Sequence, residues 1–360
     1  MSGEEREGLE AVLGSDPFQR TDAAEAETLH AWLGALDRLA KAAPPAEPHV
    51  AASAIAPRSV PIEAPAAPVG PPTAAADDAI DEVPPELGAL ARLVGDEARE
   101  QLASLVARLG PFDRFGLSRT AIVRSFPIFY ALYRLCFRVQ SEGHAAIPCE
   151  GPVVLAGNHG GLLPFDGAMS LLDVLLHSDP PRLPRAIVER WAGQLPFVNV
   201  FFARVGQVIG THENFAKLLA DGEAVLVFPE GVEGIRKPIT QRYRVQHFHV
   251  GFVEHALRAR APIVPMAILG SDDQTPILFD VKPLARLLGL PAAPITPTFP
   301  WLGPLGLLPY PVRYRIVYGE PLQFHERFDP EAAQEPGVVR ALANQVRRAV
   351  QTLIDRHRTR

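Results

Sequence analysis

Cysteine is scarce in this chain of 360 residues, which contains only Cys136 and Cys149 and has no Cys-x-x-Cys pair. So few cysteines without that spacing exclude a disulfide scaffold and a zinc ribbon. We therefore expect a reducing, cytoplasmic setting.

Long apolar runs are missing as well. No uninterrupted apolar stretch reaches the ~18 residues that a membrane-spanning helix needs. Residues 1–30 are acidic and interrupted by polar side chains, unlike a secretory signal peptide. We therefore expect any membrane contact to be peripheral, on the inner face of the membrane. The chain also lacks a Gly-x-Ser-x-Gly elbow, which disfavours a Ser-His-Asp hydrolase.

Basic side chains are few at the N-terminal end. Residues 1–86 carry 16 acidic and 5 basic side chains, whereas the other 274 residues carry 25 acidic and 30 basic ones. The mildly basic larger part favours an anionic cofactor, a phosphorylated substrate or an anionic lipid surface, although an ordinary solvated surface has the same composition. We expect no nucleic-acid partner.

The composition divides the chain into four segments. Residues 1–42 form an acidic segment with one amphipathic helix at 18–42, where apolar residues recur at three- and four-residue steps. Residues 43–86 hold 11 prolines and 13 alanines, which predicts a disordered linker. Residues 87–140 are predicted as amphipathic helices, and residues 141–360 as the domain that carries the chemistry.

Two stretches have the composition of a membrane contact. Residues 117–140 interleave aromatic residues with arginines and contain no acid, which is typical of an interfacial helix kinked at Pro127 and equally of a core-packing helix with solvated arginines. Residues 287–311 carry no charge and include Trp301 and Tyr310. That loop is a candidate for bilayer insertion or an acyl-chain groove, or is tucked over the sheet.

Apolar strand-like runs alternate with helical periods from residue 153 to the C-terminus, which predicts an α/β sheet with functional groups at strand ends. The first run, Val153–Ala156, stops at a glycine-rich turn that contains His159. Asp166 follows before a helical stretch. A loop between a strand and a helix can fold back, and a carboxylate that orients an imidazole suits a general base acting on a hydroxyl.

Three stretches in this order resemble the glycerolipid acyltransferase family. They are Asn158-His159 with Asp166, then Phe228-Pro229-Glu230-Gly231 followed by Arg236-Lys237, and Pro262-Ile263-Val264-Pro265-Met266 on a late strand. The resemblance covers about residues 115–325. It implies a mixed α/β sheet flanked by helices, and an acyltransferase catalytic domain over residues 141–360.

Two departures from the family pattern concern spacing and charge. Six residues separate His159 from Asp166, where the family has four, so the loop must bulge. The glycine-led segment from Gly206 ends in Thr211-His212, without the family's arginine. Both departures are closer to the monoacylglycerol and diacylglycerol acyltransferase-like branch than to enzymes strict for glycerol phosphate.

The resemblance implies a role for each matching residue. His159 takes the hydroxyl proton, Asp166 orients it, and Gly160 and Gly161 donate backbone N–H groups to the oxyanion. The acceptor-binding residues are Phe228, Pro229, Glu230, Gly231, Arg236 and Lys237, with Arg242 and Arg244 completing a clamp for any phosphate. The donor is acyl-CoA or acyl-carrier protein, and the acceptor is a glycerolipid such as lysophosphatidic acid or mono/diacylglycerol. No metal or other cofactor is expected.

Two other functions are compatible with the residues. A metal-dependent hydrolase would use His159, Asp166, His212, His247 and His249, since alternate residues on a strand point the same way. A non-catalytic lipid-binding protein would recruit partners through the acidic, proline-rich N-terminal segment.

Overall fold

The computed structural model describes residues 88–191, 197–281, 285 and 292–358. The predicted helix at 18–42 and the predicted linker at 43–86 lie outside the described residues. No helix in the described part of the chain combines the length and the apolarity that crossing a bilayer requires.

A seven-stranded sheet forms the centre of the described domain, in the order β1-β9-β6-β2-β5-β3-β4. Its strands are β1 (Gln140–Glu142), β2 (Val153–Gly157), β3 (Arg185–Val188), β4 (Val208–Ile209), β5 (Ala224–Val227), β6 (Ile263–Leu269) and β9 (Arg315–Tyr318). The β6–β9 pair is antiparallel and the other pairs are parallel. The expectation of a mixed α/β sheet flanked by helices is therefore confirmed. A separate two-stranded ribbon pairs β7 (Phe279–Asp280) with β8 (Pro294–Ile295).

Helices cover both faces of the sheet. They are α1 (Gly88–Ala91), α2 (Asp96–Arg108), α3 (Arg119–Ala131), α4 (Phe165–His177), α5 (Val198–Arg204), α6 (His212–Ala220), α7 (Val232–Ile235), α8 (Gly251–Arg258) and α9 (Pro336–Arg358). A π-helical turn, Leu132–Cys136, continues α3. Thr211 caps α6 by accepting a hydrogen bond from the Asn214 N–H.

The central strand β2 is buried along its whole length, which matches its uninterrupted apolar sequence. Val153 and Leu155 belong to one core cluster with residues of α2, α3 and α4. Val154 and Ala156 belong to a second cluster with residues of α6, α8 and α9. Because β2, β5 and β6 run parallel side by side, the loops that follow them meet at one edge of the sheet, where α/β proteins place their sites.

The structure favours the core-packing alternative for most of residues 117–140. The apolar side chains that suggested an interfacial helix are mainly buried in the core, namely Ile122, Val123, Phe126, Tyr133 and Phe137. Ile128 and Leu135 are exposed large apolar side chains of this segment. The apolar stripe therefore packs α3 onto the sheet, because burial in a core stabilises it as well as burial in a bilayer does.

The uncharged loop is exposed in residues 299–308, whereas Ala292, Ala293 and Thr296 at the start of its described part are buried. Trp301 is 73% exposed and Leu305 70% exposed, and Leu302 and Leu308 are also exposed. This loop keeps the surface that a lipid contact needs.

Candidate active site

His159 and Asp166 meet although six residues separate them. His159 lies just beyond the end of β2, and Asp166 lies in the first turn of α4. The imidazole Nδ1 is 2.6 Å from Asp166 Oδ2. The intervening loop bulges and brings the helix start back to the strand end, as the sequence analysis expected.

The rest of the His159 ring is positioned by an aromatic neighbour. The Phe228 ring stacks on the imidazole, with centroids 4.4 Å apart and planes 12° from parallel. The His159 side chain is 16% exposed, whereas Asp166 is fully buried. The imidazole Nε2 has no hydrogen-bond partner among the residues that the structure describes. This nitrogen is therefore free to take a proton from an incoming hydroxyl.

The carboxylates around His159 set its protonation. Burial by itself lowers the pKa of His159, but the charge and hydrogen bond of Asp166 and the charge of Glu230 raise it above its ordinary value. The imidazolium that forms when His159 accepts a proton is thus stabilised, which a general base requires.

Glu230 holds the backbone of His159 and does not face an open acceptor site. Its Oε1 accepts a hydrogen bond from the His159 N–H at 2.9 Å, and its Oε2 accepts one from the Gln246 N–H at 2.7 Å. The carboxylate is fully buried. Both carboxylate oxygens of Glu230 thus accept backbone hydrogen bonds, one of which fixes the position of His159, and the acceptor-binding role of Glu230 stays a prediction.

The other Phe-Pro-Glu-Gly residues shape the turn after β5. The Pro229 carbonyl accepts a hydrogen bond from the His249 N–H at 2.9 Å. Gly231 has a φ of +56°, and an added Cβ would lie 2.8 Å from Glu189 Oε1. Glycine is therefore required at this position.

The loop that carries His159 is also fixed from the side of β6. The buried Asn158 side chain accepts from the Ile268 N–H at 2.8 Å and donates to the Ile268 carbonyl at 3.0 Å. Gln274 Nε2 donates to the carbonyl oxygens of Gly160 and Leu163 at 3.0 and 3.2 Å. Sequence reasoning assigned Asn158 no separate role and missed Gln274, because no local pattern marks a contact across more than a hundred residues.

The two glycines after His159 differ in what their N–H groups can do. The Gly160 N–H donates to Asp166 Oδ2 at 3.0 Å, so the prediction that it binds the oxyanion is wrong for this conformation. The Gly161 N–H has no acceptor within the described part of the chain. Gly161 has a φ of +76°, and an added Cβ would lie 1.8 Å from Gln274 Nε2. Gly161 therefore remains the predicted oxyanion donor.

Most of the expected phosphate clamp is neutralised by acids. Arg236 Nη2 is 2.5 Å from Asp280 Oδ2, and Lys237 Nζ is 3.1 Å from Asp272 Oδ1. Lys237 is also 3.7 Å from Glu230 and is nearly fully buried. Arg242 pairs with Asp273 at 3.3 Å, which leaves Arg244 without an acidic partner among the described residues. Three of the four cations of the predicted phosphate clamp are therefore paired with acids, and their role in binding an acceptor stays a prediction.

The structure contradicts the metal-hydrolase alternative. His247 and His249 lie in an irregular segment instead of a strand, and His247 is 2.7 Å from Arg340 Nη1. His212 contacts His255. Within the described residues, the one group with metal-ligand spacing is His144, Asp173 and His177, none of which belongs to the proposed set.

Comparisons with known proteins agree with this geometry. The family described as Acyltransferase matches residues 138–269, a span that contains His159, Asp166 and Glu230. The chain belongs to the glycerolipid acyltransferase family. It is an acyltransferase.

The relatives of the acyltransferase differ in sequence identity and in the share of the chain that they cover. An uncharacterised protein of Mycobacterium tuberculosis is 40% identical over 272 residues, which cover 71% of this chain and 75% of the relative. A Mycobacterium leprae protein is 39% identical over 250 residues, covering 68% and 67%. The human "DGAT1/2-independent enzyme synthesizing storage lipids" is 25% identical over 226 residues, covering 61% of each chain. The crystal structure of the 1-acyl-sn-glycerophosphate (LPA) acyltransferase from Thermotoga maritima aligns with a TM-score of 0.41 and 18% identity, over 70% of this chain and 86% of that one.

Proposed function

We propose that the acyltransferase moves a fatty acyl group from a thioester donor, acyl-CoA or acyl-carrier protein, to the hydroxyl of an uncharged glycerolipid such as a mono- or diacylglycerol. The observation that carries this proposal is the His159–Asp166 pair, whose Nδ1–Oδ2 distance is 2.6 Å and whose Nε2 makes no hydrogen bond within the described residues. A thioester and an alcohol need a base, and no covalent enzyme intermediate, for this exchange.

The proposed reaction passes one proton through one imidazole. His159 Nε2 takes the hydroxyl proton as the oxygen attacks the thioester carbonyl, and Asp166 stabilises the imidazolium. The Gly161 N–H donates to the oxyanion of the tetrahedral intermediate. When the carbon–sulfur bond breaks, the imidazolium returns the proton to the leaving thiolate, which completes the ester and the free thiol.

The paired cations support an uncharged acceptor over a phosphorylated one. Arg236, Lys237 and Arg242 each have a carboxylate partner within 3.3 Å. Recruiting them to a phosphate would leave those carboxylates, two of them buried or nearly so, without their counter-charges, which is costly. The human relative's printed name, an enzyme synthesizing storage lipids, is in keeping with this choice.

The proposed setting is the cytoplasmic face of a membrane, with the loop of residues 299–308 in the bilayer surface. The segment that follows this loop contacts a residue that supports the active site. The Tyr310 N–H donates a hydrogen bond to the Gln274 carbonyl at 2.7 Å. Gln274 in turn holds the Gly160 carbonyl. These contacts connect the segment after the loop to the turn that carries His159, which supports entry of a lipid acceptor from this side.

The test is acyl transfer by the purified protein from labelled acyl-CoA, or acyl-carrier protein, to a panel of acceptors separated by thin-layer chromatography. Diacylglycerol or monoacylglycerol should be acylated in preference to lysophosphatidic acid. The His159→Ala variant should lose about 10²–10⁴-fold in rate while its fold and vesicle binding persist. Comparable turnover by that variant would refute the mechanism, and vesicle binding without turnover by the wild type would favour the lipid-binding alternative.

A further inference from the structure

A basic surface cavity lies on the described domain apart from the His159–Asp166 pair. Its volume is about 530 Å³. Its walls come from the end of β6, the start of β9 and the C-terminal end of α9. The charged and aromatic residues that line it include Arg138, Tyr243, Arg313, Arg315, His357 and Arg358.

Some of these cations already have acidic partners. Arg315 Nη2 is 2.9 Å from Glu142 Oε1, and His357 Nε2 is 3.1 Å from the same oxygen. Asp273, the acid in the cavity wall, accepts from the Tyr243 hydroxyl and pairs with Arg242. The negative charges next to the cavity are thus already engaged.

Three arginines of the cavity have no carboxylate partner among the described residues: Arg138, Arg313 and Arg358. Within the described residues, Arg138 makes one long contact, 3.4 Å, with the Pro311 carbonyl. The Arg358 guanidinium lies over the Tyr243 ring, 5.0 Å from its centroid. Guanidinium groups without counter-charges, gathered around one cavity, favour an anion with several phosphate oxygens.

The cavity size narrows the class of ligand. Pockets of roughly 300–1,000 Å³ hold drug-sized molecules, whereas a single phosphate occupies far less. Several arginines around such a volume suit a nucleotide that carries more than one phosphate.

The cavity shares a chain segment with the active site. Gly270 and Asp273 line it, and the next residue, Gln274, donates a hydrogen bond to the Gly160 carbonyl at 3.0 Å. Consecutive Cα atoms are about 3.8 Å apart, so the cavity wall at Asp273 lies directly beside Gln274, the residue that holds the His159 loop. A long, flexible arm that starts in the cavity is therefore suited to deliver a thioester to His159.

The geometry points to this cavity as the binding site for the phosphorylated nucleotide end of a CoA thioester. This inference rests on the proposed function and chooses between its two donors, acyl-CoA and acyl-carrier protein. The pantetheine arm extends from the cavity towards the Gly160–Gly161 turn. The arginines that hold the donor are thus different from Arg236 and Lys237, which are engaged by acids.

The experiment compares two donors that differ only in the nucleotide. Steady-state kinetics are measured with acyl-CoA and with the matching S-acyl-pantetheine, for the wild type and for Arg313→Ser, Arg358→Ser and the double variant. Each single variant should raise the KM for acyl-CoA about tenfold and the double variant more, because each removes a charge-assisted phosphate contact. The kcat with acyl-CoA, and all constants with S-acyl-pantetheine, should stay unchanged. Arg348→Ser, an exposed arginine of α9 outside the cavity, is the matched control.

The outcomes separate this inference from the proposed function. Equal effects on both donors, or no effect on acyl-CoA, would overturn the cavity assignment while the transferase activity stood. If the wild type turned over neither thioester, the proposed function would fail, and the cavity would be judged by calorimetry with CoA alone. Binding of CoA that weakens in the double variant supports the site, and no binding of CoA to the wild type overturns it.

Discussion

The proposed chemistry of this acyltransferase depends on the His159 imidazole, which three neighbouring residues hold in position. Asp166 accepts from Nδ1, Phe228 stacks on the ring, and Glu230 accepts the backbone N–H. Residue types alone indicated that His159 and Asp166 act together. They did not reveal that Glu230 serves His159, because the two are 71 positions apart in the chain.

The pH dependence of the reaction should follow His159. The base acts only when neutral, and Asp166 and Glu230 raise the pKa of His159 above its ordinary value of about 6.5 despite burial. The rate constant kcat/KM should therefore fall as the pH drops, with a midpoint above 6.5. Asp166→Asn should slow the reaction and move that midpoint lower, because the main charge that favours the imidazolium is gone. A pH profile of both proteins checks this, and an identical midpoint in the two would contradict the assigned base.

Gly234 is a second residue whose importance is visible only in three dimensions. An added Cβ there would lie 2.8 Å from the His159 Cβ and 3.1 Å from its carbonyl oxygen. Gly234→Ala should therefore displace the base and lower kcat by about 10- to 100-fold, as small misplacements of reacting groups do.

Gly251→Ala is the matched control for that substitution, because an added Cβ at Gly251 meets nothing within 4 Å. Both variants should unfold at urea concentrations close to that of the wild type. A fully active Gly234→Ala enzyme would show that the position of His159 tolerates this crowding.

At the scale of elements, helix α4 carries two buried carboxylates with different tasks. Asp166 in its first turn serves His159, whereas Asp173 lies two turns further on. Asp173 accepts hydrogen bonds from Tyr133, Ser141, Tyr318 and His144 at 2.5 to 3.1 Å. Burial opposes its ionisation, but these bonds and that of His177 hold the pKa of Asp173 well below its usual range. This carboxylate ties α4 to the π-turn after α3 and to β1 and β9.

Asp173→Asn should consequently destabilise the fold. The amide cannot accept all four hydrogen bonds, so buried donors lose their partner, which costs about 2–4 kcal/mol. Urea denaturation measures the loss, with the exposed Asp179→Asn as the control. A midpoint equal to that of the wild type would show that the network is dispensable.

Strand and helix positions were largely predictable, because the apolar period of each element is a local property. The predicted run Val153–Ala156 lies in β2, and the helical stretch expected at Asp166 is α4. The α3 segment shows where this reasoning fails. Its amphipathic pattern is the same for a helix that packs on a sheet and for one that lies in a bilayer. The contacts of Ile122, Val123 and Phe126 within the core decided the matter.

At the scale of the whole molecule, residues 270–312 include the exposed loop, part of the cavity wall and Gln274, which supports the active-site turn. Tyr310 reaches Gln274, and Pro311 and Val312 line the cavity. Acceptor entry, chemistry and donor binding are thus proposed for one end of the sheet.

Membrane binding should depend on this loop. Trp301→Ser and Leu305→Ser each remove an exposed apolar side chain, and each should lower partitioning onto phosphatidylcholine–phosphatidylglycerol vesicles by at least tenfold, since burying such a side chain contributes roughly 1.5–3 kcal/mol. Leu93→Ser, at an exposed leucine next to α1, is the control in the same sedimentation assay. Equal loss in all three variants would remove the special role of the loop.

The sequence by itself determined that this is an α/β acyltransferase and that His159 and Asp166 belong together. The reason is that the apolar period of each element and the order of the motifs can be read from neighbouring residues in the chain. Only the tertiary structure decided what the surrounding charges do. Lys237 meets Asp272 and Arg236 meets Asp280 across long stretches of chain, and Gly160 turns its N–H to Asp166. A charged or polar group acts through whatever lies within a few ångströms of it, and that neighbour is set by the fold, not by the sequence beside it.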